Sequence, residues 1–370
     1  MTIMARLWLV AAVFMGIGAR TAHAEEGAFI GLLRERDLTA FGFLRLDMRP
    51  AHAVDIEPHT WAIETELGYQ NTWALSSEVE HYLDSLEPTG RRALGPAELA
   101  AIQALPGENY LVDFEGANLD VTLHYKLSRQ WTAYLIISAA SYQGGFLDST
   151  IENFHDTFGF QDFGRPAVKK NDVNAIFDLK STQLAYLGSL PTDGGLLDPT
   201  LGMRYVGLKL PKPWRLTVEA AVKLAVGGER ALLSTGRTDY GLQASLQRFG
   251  AHHAWYFNVA GVYYAGIGEP IPNHSQVVPT FIVGYEHMLT RHTNINLQGY
   301  VSPSTYSHDE TDLDELLGEK YQVTLGLRHR TDKFVFTFGI TENLQNIENT
   351  PDIGFQLGVA YVPHPVVQGQ

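Results

Sequence analysis

The feature of this sequence that most restricts its fold is an alternation of apolar and polar residues over long stretches. In the segment 61–75, Trp61 and Ile63 occupy odd positions, whereas Glu64 and Glu66 occupy even positions. A period of two residues is typical of β-strands, because successive side chains of a strand point to opposite faces. The pattern predicts a strand with one apolar face and one polar face.

The same alternation recurs along most of the chain, and the length of the stretches indicates which kind of β-protein they build. Strands of soluble proteins usually contain about five or six residues, whereas a tilted strand that crosses a bilayer needs about 9–11. Most of the stretches here have the longer length, which favours a transmembrane barrel over a secreted soluble β-protein. Besides 61–75 they are 119–127, 131–142, 200–210, 214–226, 238–248, 253–265, 276–287, 293–301, 321–330, 334–341 and 353–361.

A sheet that spans a membrane has to close on itself, because an open edge in lipid would leave backbone N–H and C=O groups without partners. Bacterial single-chain barrels have an even number of strands, short periplasmic turns and longer outer loops. The segment 173–190 decides the number, because placing it in a loop gives twelve strands and splitting it gives fourteen. Lys169, Lys170 and Asp178 crowd this region. We therefore expect an all-β, antiparallel, up-and-down barrel of 12 strands with a large extracellular loop at 143–199 that carries a short helix; the alternative is 14 strands.

The positions of four tryptophans support this orientation. Trp61, Trp131, Trp214 and Trp255 all lie near the start of strands that run outward in the twelve-strand arrangement. Tryptophan and tyrosine are enriched at both interfaces of a membrane, where they form aromatic girdles. We expect these four side chains to lie at the periplasmic interface.

The N-terminal residues 1–24 have the parts of a secretory signal peptide. Arg6 supplies the positive region, residues 7–19 form an apolar core, and Ala22 and Ala24 form a small-x-small cleavage site. This arrangement predicts export and cleavage near Ala24. The fold then begins at residue 25.

The segment 25–60 lacks a membrane-length alternating stretch and is rich in charge. Such a segment ahead of a barrel either plugs the lumen, where its ions pair with the wall, or forms a periplasmic tail, and the sequence leaves both open. The barrel itself is expected to span 61–361, followed by a C-terminal tail at 362–370. The charged residues of the segment are Arg34, Arg36, Asp37, Arg45, Asp47 and Arg49.

Charge and composition exclude several classes of function. Removal of 1–24 takes away Arg6 and Arg20 but no acidic residue, so 25 basic residues face 41 acidic ones, a net charge of −16. This argues against a nucleic-acid partner, because phosphate binding relies on clustered lysine and arginine. The chain contains no cysteine, which removes thiolate metal sites, and no cofactor motif occurs. The acidic loop around Asp309 and Glu319 is interpreted as a solvated charge run, so no metal site is expected.

Catalytic motifs are also missing, so the chain is not expected to be an enzyme. Ser307, His308 and Asp309 are adjacent, and adjacent residues point apart and do not form a proton relay. No Gly-x-Ser-x-Gly, His-Glu-x-x-His or phosphate-binding loop is present.

Several short runs carry a family resemblance. They are Arg34–Gly42 with Leu44–Asp47, Asn71–Leu75, Gly144–Asp148 and Phe154-His155. These runs resemble an uncharacterised proteobacterial family of outer-membrane proteins that is known as a domain of unknown function. The resemblance implies residence in the bacterial outer membrane, with its lipid and lipopolysaccharide as surroundings, and it transfers no catalytic residue. The last strand, 352–361, resembles the signal that barrel-assembly machinery recognises, which makes that machinery an expected partner.

Two groups of residues are candidates for a functional site. A helix is expected to begin after Gly144–Leu147, with Asp148 or Ser149 as its N-cap and with Ile151, Phe154 and Phe158 at helical spacing. It lies over or into the mouth of the barrel, or it only packs on the apolar residues of its own loop. The mouth candidates are Phe146, Asp148, Phe154 and His155. Inward-facing charges of both signs make up the second group, and most of them are expected to pair with one another rather than to line a pathway. These lumen candidates are Glu64, Glu66, Asp120, Lys126, Glu219, Lys223, Asp239, Arg328 and Arg330.

The sequence thus predicts an outer-membrane β-barrel that acts as a channel or uptake route for a small or amphipathic solute. The alternative is a plugged structural or surface-interaction barrel whose loops contact lipopolysaccharide or another cell. A membrane-embedded lipid hydrolase is a third, weaker hypothesis.

Overall fold

The fold was examined in a computed structural model, which describes residues 29–34, 36, 44–51, 56–266, 273–345 and 350–363. The predicted signal peptide and residues 364–370 of the predicted tail lie outside this range. In the described part of the chain, no helix is both long enough and apolar enough to cross a membrane.

Twelve antiparallel strands form a closed barrel. Each strand pairs with the next along the chain, and the last pairs with the first, with Glu66 opposite Gly358. This confirms the prediction of a 12-strand up-and-down barrel. The strands are β1 (Trp61–Leu75), β2 (Asn109–Lys126), β3 (Trp131–Gln143), β4 (Thr200–Tyr205), β5 (Trp214–Lys223), β6 (Asp239–Phe249), β7 (His253–Tyr264), β8 (Gln276–Met288), β9 (Thr293–Ser302), β10 (Lys320–Arg330), β11 (Phe334–Gln345) and β12 (Ile353–Tyr361).

The two faces of the wall differ as the alternation predicts. Outward side chains are apolar and exposed, for example Leu242 at 66% and Val259 at 52%. Inward side chains are buried and mostly polar, for example Glu219 and Gln243. An apolar outside and a polar inside are typical of a transmembrane barrel and opposite to a soluble one.

The aromatic girdle lies at the end of the barrel with the short turns. Trp61 and Trp131 are exposed and project outward there, and each packs against a tyrosine of the neighbouring strand, with ring centroids 4.6 Å apart in both pairs. Trp214 and Trp255 begin their strands at the same end. This end corresponds to the periplasmic interface of an outer-membrane barrel.

The other end carries the long connections and four helices. They are α1 (Ser77–Leu86) and α2 (Pro96–Gln103) between β1 and β2, α3 (Asp148–Phe158) between β3 and β4, and α4 (Asp314–Leu317) between β9 and β10. Short 3-10 turns occur at Glu87–Thr89 and Arg165–Ala167.

The segment 173–190 is a hairpin outside the barrel, so the alternative of 14 strands is wrong. Its strands, Asn174–Leu179 and Thr182–Leu187, pair with each other, and the first also pairs with Asn109–Asp113 of β2. The hairpin therefore extends the sheet along Asn109–Asp113 of β2, whereas β3 pairs with β2 from Glu115 onward. The hairpin belongs to the large loop 143–199, as expected.

Two strand boundaries differ from the prediction by five residues or more. β2 begins at Asn109, ten residues before the predicted start at 119, because its upper part is buried on both faces and therefore does not alternate. β4 ends at Tyr205 instead of residue 210. The residues that follow include Gly207, Pro211 and Pro213, which do not continue a strand ladder.

Apolar side chains fill the upper part of the lumen. Tyr110 and Phe114 of β2 have the same parity as the inward-facing Asp120, and they pack with Tyr142 of β3. Phe177 of the loop hairpin and Leu316 of α4 complete this cluster. An apolar layer therefore narrows the mouth of the barrel above a polar lumen, and Leu44 of the N-terminal segment packs against it.

Candidate functional site

Residues 29–34 of the N-terminal segment lie inside the lumen, where wall side chains bind their backbone. The N–H groups of Ile30 and Gly31 donate to the Glu286 carboxylate of β8 at 2.8 and 3.1 Å. The N–H of Leu33 donates to Gln298 of β9 at 3.0 Å. These side chains satisfy donors of a backbone stretch that belongs to no strand, which a buried backbone requires.

The carbonyl groups of the same stretch are also satisfied. Arg328 of β10 donates to the carbonyl oxygens of Ile30 and Leu32 at 3.0 and 3.1 Å, and it reaches that of Gly31 at 3.3 Å. Asn296 donates to the Gly31 carbonyl at 3.0 Å. One face of the wall therefore holds residues 30–33 through the main chain.

Two wall glycines make room for side chains of this segment. A Cβ atom at Gly284 of β8 would overlap Leu32, and one at Gly326 of β10 would overlap Leu33. Both leucines are buried, at 1% and 0% exposure. The wall therefore has recesses into which the segment fits.

A second stretch of the segment, residues 44–51, is bound on β5 and β6. Lys223 donates to the carbonyl of Leu44 at 2.7 Å, and Asp239 accepts the N–H of Leu46 at 2.9 Å. Gln243 donates to the carbonyl of Arg49 at 2.9 Å. Residues 29–34 and 44–51 thus contact strands on different sides of the lumen.

Charged groups add a third kind of contact. Arg34 lies 3.4 Å from Glu64, and Arg36 lies 3.3 Å from Asp120. Arg49 lies between two acids, 3.1 Å from Glu66 and 2.6 Å from Asp120. The three arginines come from the segment and the three carboxylates from β1 and β2.

Elsewhere in the wall the charges pair with one another. Arg204 of β4 lies 2.7 Å from Glu219 of β5, which also accepts from the Tyr134 hydroxyl at 2.7 Å. Lys223 lies 2.9 Å from Asp239. Burial of single charges is costly, so such pairing is what a filled lumen requires.

The structure places eight of the nine lumen candidates buried in the barrel, and it brings most of them together. Arg330 is half-buried, at the short-turn end of β10. Their role in a pathway stays a prediction. The buried eight are Glu64, Glu66, Asp120, Lys126, Glu219, Lys223, Asp239 and Arg328.

Sequence reasoning missed two important wall residues. Glu286 is fully buried and binds Tyr256 and Asn294 in addition to the segment. Arg204 is the partner of Glu219. Both lie in predicted strands at inward parity, so the alternation that placed the other candidates also places these two.

One cavity of the lumen borders the N-terminal segment. A cavity of about 50 Å³ lies between the segment and the wall, and this volume is enough for a few water molecules. Its lining includes Arg34, Glu66, Asn118, Gln298, Tyr300 and Gln356.

The mouth candidates lie on the outer flank of the barrel and not over its mouth. Phe146 stacks on Tyr69, which shares the parity of the exposed Trp61, with ring centroids 5.3 Å apart. The N–H of Phe146 donates to Glu115 of β2 at 2.9 Å. The loop therefore begins against outward-facing residues of β1 and β2.

The predicted N-cap of α3 is wrong. Leu147 occupies the cap position, and Asp148 is the first helical residue. The Asp148 carboxylate instead accepts from Arg165 at 2.7 Å and from Asn71 at 3.2 Å. It is buried because it anchors the helix to β1, a tertiary contact that the local sequence does not indicate. His155 is half-buried and lies 2.9 Å from Asp162.

Glu152 fastens α3 to the rest of the loop region. It lies 2.6 Å from Lys170 and accepts a hydrogen bond from Arg91. Burial raises the pKa of Glu152, but the hydrogen bonds from Lys170 and Arg91 outweigh burial and hold this pKa below its ordinary value.

An exposed aromatic patch lies on α3 and on the loop residues just before and after it. We define it as Phe146, Phe154, Phe158 and Phe160, whose exposed fractions lie between 44% and 65%. Phe154 packs against Phe158 and Phe160, with ring centroids 4.7 and 5.8 Å apart.

In the described ranges, no cluster of three or more histidine or acidic residues is arranged to hold a metal ion.

The chain is similar to a protein family and to solved structures. The family DUF3187, described as a protein of unknown function, matches residues 84–362. No curated protein matches the chain.

Solved structures of outer-membrane proteins are similar to this chain at low sequence identity. The COG4313 outer membrane channel from Pseudomonas putida F1 is similar with a TM-score of 0.51 and 10% identity, over 85% of this chain and 99% of that chain. The P. putida toluene transporter TodX gives a TM-score of 0.37 and 12% identity, over 83% and 91%. The KdgM porin gives 0.36 and 6%, over 70% and 98%. The similarity to the COG4313 channel shows the outer-membrane barrel fold.

Proposed function

We propose that this chain, which belongs to the DUF3187 family of proteins of unknown function, is a non-enzymatic outer-membrane channel closed by its own N-terminal segment. The observation that carries the proposal is the path of residues 29–34 and 44–51 through the lumen. In this state the channel is shut, and movement of the segment opens it. The solute is small or amphipathic.

The size of the barrel supports a channel. Eight strands enclose an interior that side chains alone fill, and the interior widens as strands are added. Twelve strands therefore leave space that wall side chains do not fill, and here the N-terminal segment takes that space. A purely structural barrel could be built from eight strands and would then need no separate filling segment.

The way in which the segment is held supports reversible closure. Its contacts are hydrogen bonds and ion pairs with polar wall residues, together with leucines in glycine recesses. Water can replace the polar contacts when the segment leaves, so the net free energy that holds it is much smaller than the number of bonds implies. Leu44 of the segment packs against the apolar layer at the mouth, so departure of the segment also removes part of this layer.

Conductance in planar bilayers tests the proposal. The full chain is expected to show low conductance with rare openings, and a variant that lacks residues 29–51 is expected to conduct steadily. Folding of both proteins is checked by the shift in gel mobility on heating. If the folded deletion variant neither conducts ions nor admits solutes into liposomes, the channel proposal is wrong.

The aromatic patch favours a second candidate function, contact with the lipid of the outer leaflet. Phe146 continues the lipid-facing surface of β1 through Tyr69, so the patch is contiguous with the membrane face. Aromatic side chains at a membrane interface anchor a protein in the lipid.

Substitutions on one helix separate the two candidate functions. Phe154→Ser with Phe158→Ser is expected to weaken binding to lipopolysaccharide while conductance stays unchanged. The control is Asn153→Ser with Asp156→Ser, because both residues are exposed on the same helix. Equal binding by both double variants would contradict a role of the patch in lipid contact.

A further inference from the structure

We infer that the pore opened by departure of the N-terminal segment selects positively charged solutes. This inference rests on the proposed channel function. Its basis is a cluster of carboxylates on β1 and β2, which we define as the acidic wall patch: Glu64, Glu66 and Asp120. Guanidinium and alkylammonium compounds are the solutes that match the patch most closely, because guanidinium groups occupy it in the closed state.

The three carboxylates lie together on two neighbouring strands. Glu66 is directly opposite Asp120 in the β1–β2 register, and Glu64 lies two residues along β1 on the same face. All three point into the lumen and are at most 6% exposed. The patch is therefore part of the barrel wall and stays in place when the segment leaves.

The arginines that balance the patch belong to the segment. Arg34, Arg36 and Arg49 each lie within 3.4 Å of a patch carboxylate. The wall itself contributes neutral groups, since Ser138 bonds to Asp120 and Gln356 donates to Glu66 at 3.1 Å. The His124 imidazole lies 3.4 Å from Glu64. Departure of the segment therefore removes three positive charges from beside the patch.

The other buried acids do not change in this way. Glu219 keeps Arg204 and Asp239 keeps Lys223, because both partners are wall residues. Glu286 and Arg328 both bind the backbone of the segment, so its departure releases one charge of each sign. The excess negative charge of the open pore therefore comes from the acidic wall patch.

A local excess of one sign is what sets ion preference in a pore. Acidic clusters in a pore favour cations, and walls of low dielectric constant strengthen the effect by focusing the field. The closed state itself shows that guanidinium groups fit beside these carboxylates, where arginine makes charge-assisted hydrogen bonds.

The reversal potential in a KCl gradient tests this inference. The variant lacking residues 29–51 is expected to show a clear preference for K⁺ over Cl⁻ and a block of the K⁺ current by millimolar guanidinium. Adding Glu64→Gln, Glu66→Gln and Asp120→Asn is expected to abolish the preference and the block. The control adds Lys223→Met with Asp239→Asn, which removes one charge of each sign, and it is expected to keep both.

The outcomes separate this inference from the channel proposal. A deletion variant that conducts without cation preference overturns the inference and leaves the channel standing. A folded deletion variant that does not conduct overturns both. If the deletion prevents folding, the full chain with Arg34, Arg36 and Arg49 replaced by Gln supplies the same unbalanced patch, and equal passage of K⁺ and Cl⁻ through its openings also overturns the inference.

Discussion

At the scale of single residues, the fit between segment and wall depends on the absence of side chains at two positions. Gly284 and Gly326 receive Leu32 and Leu33, which places two apolar side chains in an otherwise polar lumen. Any side chain at these positions competes with a leucine for the same space. Such overpacking costs about 1–3 kcal/mol.

Gly284→Val is therefore expected to favour the open pore without unfolding the barrel. A cost of about 1–3 kcal/mol corresponds to roughly a 5- to 150-fold change in the ratio of open to closed states. Single-channel recordings give this ratio directly. The matched control is Gly261→Val, since Gly261 lies in β7 with no atom within 4 Å of the added Cβ. Unchanged opening in Gly284→Val would show that Leu32 does not occupy this recess.

The residues that sequence reasoning found and missed have a common explanation. Alternation identifies which residues of a strand point inward, so it predicts Glu64, Asp120 and Glu219 as lumen residues. The same parity applies to Glu286 and Arg204, but charge at an inward position does not reveal its partner. Partners are set by register and by the path of the N-terminal segment, and neither is encoded in local pattern.

At the scale of elements, all twelve barrel strands were predictable because lipid on one side and polar groups on the other impose alternation. The prediction weakens where this environment ends. The upper part of β2 is covered on both faces by loop residues. All residues of Asn109–Phe114 are therefore buried, and apolar and polar residues do not alternate there as they do in the membrane. The hairpin formed by Asn174–Leu179 and Thr182–Leu187 is too short for the signal that identified membrane strands.

The attachment of α3 leads to a prediction about pH. The pKa of Glu152 is lower in the folded loop than in an unfolded chain, so its contribution to stability is present above the unfolded pKa of about 4.3 and is lost as pH falls through the folded value. Hydrogen-exchange protection of residues 148–158, corrected for intrinsic rates, is therefore expected to fall between about pH 5 and pH 3. Protection of the barrel strands is expected to stay constant over this range.

Substitution of Glu152 provides the check on this cause. Glu152→Gln is expected to lower protection of α3 at neutral pH and to remove its acid dependence. Asp156→Asn, on the exposed side of the same helix, is expected to behave like the native chain. If Glu152→Gln retains the native acid dependence, another group controls the attachment of α3.

At the scale of the whole molecule, three features occupy the interior of the barrel between its two ends. The apolar cluster around Phe114 and Tyr142 narrows the mouth, residues 29–34 and 44–51 lie in the lumen, and ion pairs such as Arg204–Glu219 connect wall strands. The sequence predicted the barrel and its polar interior. It left a plug and a periplasmic tail as equal possibilities for residues 25–60, because main-chain hydrogen bonds to the wall require no particular side chains in the segment.

Cross-linking of the N-terminal segment to the wall shows whether the segment occupies the lumen. The chain has no cysteine, so Leu33→Cys with Gly326→Cys introduces one defined pair at a site of close contact. Mild oxidation of the folded protein is expected to join the pair in high yield, shift its gel mobility and suppress channel openings until reductant is added. The contrary result is that the pair does not cross-link and a membrane-impermeant maleimide freely labels the thiol introduced by Leu33→Cys. This result would place the segment outside the barrel and show that it does not close the lumen.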